Sequence, residues 1–241
     1  MTDIYILQNF SPGKQLGTIF AITYMSVKSM SIKNNSVFSP VALFPGPAAV
    51  FSEAKTEIIR KSIHFLIALC PVMAAVSQSM TMLVLLTGII CYTAMEMLRL
   101  SGVKVPLVSA ITGMASRPRD MGRFVFGPVT LGTGALFTLL LFPTPVASIA
   151  IFALAFGDGF ASLIGKFFGT YRPAVLFGKS VEGSLACFTA TYFCAYLVSG
   201  NFIVALIAAV TATAVEALPL EDYDNIALPL AVGVAVQIAM M

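Results

Sequence analysis

Asp158 stands in the stretch Ala150-Ile-Phe-Ala-Leu-Ala-Phe-Gly-Asp-Gly-Phe-Ala161, a carboxylate inside an otherwise apolar run. A charge at that depth in a membrane helix costs on the order of 3 kcal/mol on insertion scales, so it persists beside a metal, a base or a proton. Behind it, Asp158, Ala161, Gly165 and Gly169 recur at helical spacing and share one face. Such a strip either admits a phosphate chain or lipid head to the backbone, or serves close helix packing. Lys166 adds a positive charge nearby.

Three further clusters carry the same chemistry. Lys179-Ser180-Val-Glu182-Gly183 reads as the capped start of a helix, where a base, a hydroxyl and the helix dipole favour phosphate. Arg60 and Lys61 precede His64, the only histidine of the chain, which is a proton carrier, a phosphate donor or an interfacial side chain. Glu216 closes one apolar run, and Asp224 with Asn225 opens the next, either as site residues or as helix caps. Arg123 opens another run. No GxxxxGK[ST] loop is present. Together these residues supply cations for phosphate oxygens and at least three acids able to hold Mg²⁺, the parts phosphoryl transfer uses.

The elements that must position them are membrane helices. Of 241 residues, 58% are hydrophobic and 10% charged, with mean hydropathy +0.93, too little polar surface to coat a water-soluble domain. An all-α, multi-pass transmembrane bundle is therefore expected, since open sheets cannot face lipid. The net charge of +3 forms no basic stripe, which disfavours nucleic acid as a partner. Cys70, Cys91, Cys187 and Cys194 lie in apolar stretches without a CxxC pair and read as small buried hydrophobes. No signal peptide is evident at the start.

Seven spans are expected, over residues 62–77, 80–98, 125–142, 145–164, 181–199, 201–218 and 225–241. They would form one catalytic domain over 55–241, preceded by an interfacial or re-entrant segment, 1–54, in which Pro40, Pro45 and Pro47 disfavour a straight helix. The connections at 78–79, 143–144 and 199–200 carry no charge, whereas Lys55, Arg60, Lys61, Arg99, Lys104, Arg117, Arg119, Arg123, Lys166, Arg172 and Lys179 all fall at the other ends. Basic loops stay in the cytoplasm, which places that face inside, in a bacterial inner membrane or one of endoplasmic-reticulum type. The acids gather there as well, as a polar site built from several helix ends would require.

Taken in order, Arg60-Lys61-x-x-His64, Asp158-Gly-x-Ala161-x-x-x-Gly165-x-x-x-Gly169, Lys179-Ser180-x-Glu182-Gly183-Ser184 and Glu216-Ala-x-Pro219 through Asp224-Asn225-x-x-x-Pro229 resemble the polyprenol kinase family. That family comprises dolichol kinase, phytol kinase and the CTP-dependent diacylglycerol kinase, and is more distantly similar to phosphatidate cytidylyltransferases. The resemblance covers roughly residues 55–241. It implies transfer of the γ-phosphate of CTP to a membrane lipid alcohol with Mg²⁺ or a similar cation. It marks Arg60, Lys61, Asp158 and Gly165 as activity-determining, with His64 as a further catalytic candidate. On this reading Asp158, Glu182, Asp224 and Glu216 are candidate metal ligands. Arg123, Lys166, Lys179, Ser180, Gly165, Gly169 and Asn225 are candidates for the nucleotide and its phosphates. A cytidylyltransferase and a non-enzymatic transporter are the alternatives. The near absence of ionisable groups from the outer span ends counts against the transporter.

Overall fold

Hydropathy sets the architecture, and the charged residues collect where helices end. The computed structural model describes residues 47–103, 105–115, 120 and 122–241. The expectation for residues 1–46 lies outside that range, as do Lys104, Arg117 and Arg119. Helix α1 (Pro47–Phe65) runs through a 3-10 turn, Leu66–Ala68, into α2 (Leu69–Val76). Pro71 accounts for the tightened turn, since it has no N–H for the Ile67 carbonyl and its ring crowds that group. There follow α3 (Gln78–Leu100), α4 (Pro106–Ala115), α5 (Gly127–Leu141) and α6 (Thr144–Phe152). A π segment, Ala153–Asp158, leads into α7 (Gly159–Phe167), and the bundle closes with α8 (Val181–Ser199), α9 (Phe202–Glu216) and α10 (Asp224–Ala239).

Helices occupy all seven expected stretches, and no strand occurs among the described residues. Four are long and apolar enough to cross a membrane: Ala54–Val76, Gln78–Leu100, Thr144–Phe167 and Val181–Ser199. Helices α5, α9 and α10 are apolar but only 15, 15 and 16 residues long, roughly 22–24 Å at 1.5 Å per residue against a hydrocarbon core of ~30 Å.

The start of the first span differs from expectation. Pro47 does not break a helix but occupies the first turn of α1, where its missing N–H has no intrahelical acceptor to lose. Arg60, Lys61 and His64 therefore lie well inside a continuous helix.

The uncharged ends are short turns closed by polar caps. Ser77 caps α3 through the Met80 N–H, Asn201 caps α9 through Ile203 and Val204, and Gln78 donates to the Leu139 carbonyl at 2.6 Å. Between the two ends lies a core of small and branched side chains. Ala147, Ile151 and Leu154 from the Thr144–Phe167 rod meet Ala195 of α8, Ala208 of α9 and Val232 of α10, all fully buried. The Thr144–Phe167 rod is thus the central helix, which is why its one carboxylate lies so deep.

Candidate active site

Asp158 ends the π segment, flanked by two glycines that let neighbours reach the backbone. A Cβ on Gly157 would meet the Thr191 hydroxyl at 2.5 Å, and one on Gly159 would run into the Phe65 ring. The central helix is thereby drawn tightly between α1 and α8. A π turn inserts one extra residue and rotates the helix beyond it, a distortion often found at functional sites. Here it ends on Asp158, whose carboxylate faces α1. Lys61 Nζ donates to Asp158 Oδ2 at 2.5 Å, and both side chains are almost wholly buried. His64 Nε2 lies 3.3 Å from the same oxygen and donates to the Leu154 carbonyl at 2.8 Å. Ser162 Oγ reaches Asp158 Oδ1 at 3.5 Å. Lys61 is thus not a base reaching for a water interface but the buried partner of the carboxylate.

A second pair lies where α8 begins and α9 ends. Lys179 Nζ donates to Glu216 Oε1 at 2.8 Å, and Ser184 Oγ donates to Glu216 Oε2 at 3.4 Å. Burial alone would lower the Lys179 pKa, but Glu216, joined by Asp158 and Asp224, outweighs it and the pKa is raised, so the amine stays charged. Asp224 is near enough to Asp158, Lys61, Lys179 and Arg60 for each charge to act on it. Ends of α1, the central helix, α8, α9 and α10 therefore meet around one group of charges.

Two cavities flank that group. The polar one, about 250 Å³, is lined by Ser162, Gly165, Lys166, Arg172, Lys179 and Glu216. The other, about 230 Å³ and mostly apolar, is bordered by Arg60, Ile63, His64, Tyr92, Leu131 and Asn225. Asp158 touches one residue of each wall, Ser162 on the polar side and His64 on the apolar side.

Other expected site residues fall elsewhere. Arg60 pairs with Glu57 at 2.6 Å and lines the apolar cavity rather than the polar one. Its buried Nε has no hydrogen-bond partner, an omission worth about 1–3 kcal/mol. Arg123 is exposed and borders neither cavity; its carbonyl accepts from Arg99. Asn225 is no helix cap: it is buried and donates to Thr130 Oγ1 at 3.0 Å, while α10 starts without a side-chain cap. Ser180 does cap α8, accepting from Gly183 N–H at 3.1 Å.

The small-residue strip packs against protein. A Cβ on Gly165 would lie 3.1 Å from Ser180 Oγ, one on Gly169 would strike Ser180 and the Gly165 carbonyl, and one on Gly183 would lie 2.8 Å from the Ala161 carbonyl. Gly165 and Gly169 therefore let the start of α8 approach α7, and only Gly165 also borders the polar cavity.

The four expected metal ligands do not assemble as a set. Glu182 is half-buried and holds the connection before α8, accepting from the Thr170 N–H and hydroxyl and from the Tyr171 N–H. Asp158 and Glu216 each already have a lysine where a cation would sit. Among the described residues no group of three His, Cys, Asp or Glu is arranged to hold a metal ion. These side chains alone do not fit a protein-built Mg²⁺ site.

Arg172 stands in the sequence as one of several loop bases, with nothing to mark it as a site residue. It donates to the Gly178 carbonyl at 2.7 Å and to the Gly165 carbonyl at 2.6 Å, closing the loop over the polar cavity. Its position shortly beyond an apolar helix end was the available signal. Tyr92 carried none, since a tyrosine within an apolar helix is ordinary.

Known proteins similar to this chain share one theme. CTP-dependent diacylglycerol kinase 1 of Schizosaccharomyces pombe is 35% identical over 69 residues, 29% of this chain and 32% of that protein. Phytol kinase of Synechocystis is 33% identical over 127 residues, 46% of this chain and 53% of that protein. Probable phytol kinase 1, chloroplastic, of Oryza sativa subsp. japonica is 28% identical over 152 residues, 56% of this chain and 48% of that protein. The chain is thus similar, over part of its length, to proteins named as diacylglycerol and phytol kinases. It spans about half or less of the length of these relatives. No family model matches it, and neither does any solved structure.

Proposed function

We propose that the protein is a CTP-dependent kinase of a membrane lipid alcohol, with seven spans and its charged face in the cytoplasm. The observation that carries this reading is the buried Lys61–Asp158 pair between a cation-lined cavity and an apolar one. The relatives' names supply the nucleotide and the kind of acceptor.

On this reading the triphosphate lies against Lys166, Arg172 and Lys179, aided by the positive end of the α8 dipole. The alcohol oxygen attacks the γ-phosphorus, an O–P bond forms, and the bond from phosphorus to the β-bridging oxygen breaks with its electron pair leaving on CDP. The hydroxyl proton passes to Asp158. Such transfer depends mainly on positioning and charge stabilisation, because the transition state is loose. Lys61 keeps the carboxylate ionised and aimed, and His64, anchored on the Leu154 carbonyl, fixes the acceptor side. The protein's span through lipid gives the alcohol lateral access while the nucleotide arrives from water.

Labelled CTP tests the reaction. Purified protein with a panel of lipid alcohols is expected to place the γ-phosphate label on lipid and none of the α label. The α label on lipid would make the protein a cytidylyltransferase instead.

A further inference from the structure

We propose that the apolar cavity bordered by α1, α3, α4, α5 and α10 is the seat of the lipid alcohol, and that Tyr92 and Leu131 set which alcohols fit. This rests on the kinase reading above.

Charge separates the two cavities first. Lys166, Arg172 and Lys179 face the polar one against a single acid, Glu216. Among the described residues Arg60 is the sole lysine or arginine at the apolar one, which also carries Asp120 and Asp222. A triphosphate is favoured among the three cations of the first, whereas a neutral alcohol needs no such charge. The apolar walls, including Ile63 and Leu131, suit hydrocarbon.

The polar end of the same cavity suits a hydroxyl. Arg60 borders that cavity, and a guanidinium can donate to an alcohol oxygen. His64 lines that end and sits 3.3 Å from Asp158 Oδ2, so an oxygen beside His64 is within one side chain of the carboxylate. From the other wall Ser162 reaches Asp158 Oδ1. Contacts from the walls of both cavities thus converge on one carboxylate.

Tyr92 is built as a fixed wall. Its hydroxyl donates to the Val125 carbonyl at 3.1 Å. Val125 is itself held by its N–H to Glu96 Oε1 at 3.0 Å. A ring pinned at its far end cannot swing aside for a wider chain. The volume, about 230 Å³, is below the ~300–1,000 Å³ of pockets that engulf a drug-sized ligand. It holds the hydroxyl end and first carbons, and the remaining tail lies among lipids.

The experiment uses the full chain in lipid nanodiscs with a long-chain primary alcohol carrying a diazirine near its hydroxyl end. After irradiation, the label is expected on Ile63, Tyr92 or Leu131, reduced by unlabelled alcohol and not by CTP. Label confined to α8 and α9, or competed by CTP alone, would overturn the proposal, the second result giving the cavity to the nucleotide base. Kinetics add an independent reading. Leu131→Phe is expected to raise KM for a branched alcohol about 10-fold, in the range by which a pocket discriminates small changes of apolar bulk, with KM for CTP unchanged. Tyr92→Leu is expected to shift preference toward bulkier alcohols. Unaltered alcohol KM and preference in both variants would also overturn it. The two readings fail separately: photolabel in the cavity without phosphate transfer removes the kinase, and transfer with label elsewhere removes this site.

Discussion

Asp158 and Glu96 are both buried carboxylates near the charged end of the bundle, 2% and 0% exposed, yet their surroundings are unlike. Glu96 is saturated. Arg99 grips it through Nε and Nη2, each at 2.7 Å, and the Val125 N–H adds a third bond. Arg99 also donates to the Arg123 carbonyl, so one cluster ties the end of α3 to the start of α5. Asp158 has a single strong donor, Lys61, with a longer approach from His64 and another from Ser162. Glu96 is locked by donors that tie two helix ends together, whereas the contacts of Asp158 include one residue from the wall of each cavity.

Substitutions sharpen the contrast, and the largest effect belongs to Asp158. Asp158→Asn is expected to lower the rate of lipid phosphorylation by about 10³-fold or more, since both a base and fixed charge are removed. Near-normal turnover would take Asp158 out of the mechanism. Lys179→Gln comes next, with KM for CTP rising about 10-fold as one phosphate-facing charge is lost. Because Glu216 raises the Lys179 pKa, the amine remains protonated above the ordinary lysine range, so KM for CTP is expected to show no lysine titration between pH 7 and 9. Glu96→Gln should reverse the pattern, with thermal stability in detergent falling by about 1–3 kcal/mol and KM for CTP nearly unchanged. The smallest effect is expected for Glu182→Gln. Its bonds hold the Thr170–Tyr171 backbone, so activity should stay within about 3-fold and its Mg²⁺ dependence should not move. A 10-fold shift in that dependence would restore Glu182 as a metal ligand.

The sequence made some of this legible for physical reasons. Apolar runs marked the seven stretches that helices occupy, because lipid leaves backbone no other solution. Asp158 stood out because a lone carboxylate in such a run needs a partner, and the Arg60-Lys61-x-x-His64 turn held that partner. The features that stayed illegible depend on rotation and on contacts far apart in sequence. Glu182 looked like an inward acid until the preceding loop claimed it. Pro47 looked like a breaker because its place in the first turn of α1 was unknown. The Gly165 and Gly169 strip had two readings; both glycines pack against Ser180, and Gly165 borders the polar cavity as well, which depends on where the distant start of α8 lies. The division into a cationic and an apolar cavity arises from many helices together, and no single segment carries it.

The most direct test is to remove both charges of the central pair at once. Either single change, Lys61→Met or Asp158→Asn, leaves a buried charge without its partner, at a cost of about 3–5 kcal/mol in stability. The double variant should recover much of that stability, read by thermal unfolding in detergent. If Lys61 and Asp158 perform the transfer, it should nonetheless place no more γ-phosphate on lipid than either single variant. A stable double variant that phosphorylates lipid at close to the native rate would show that the pair only holds the helices together.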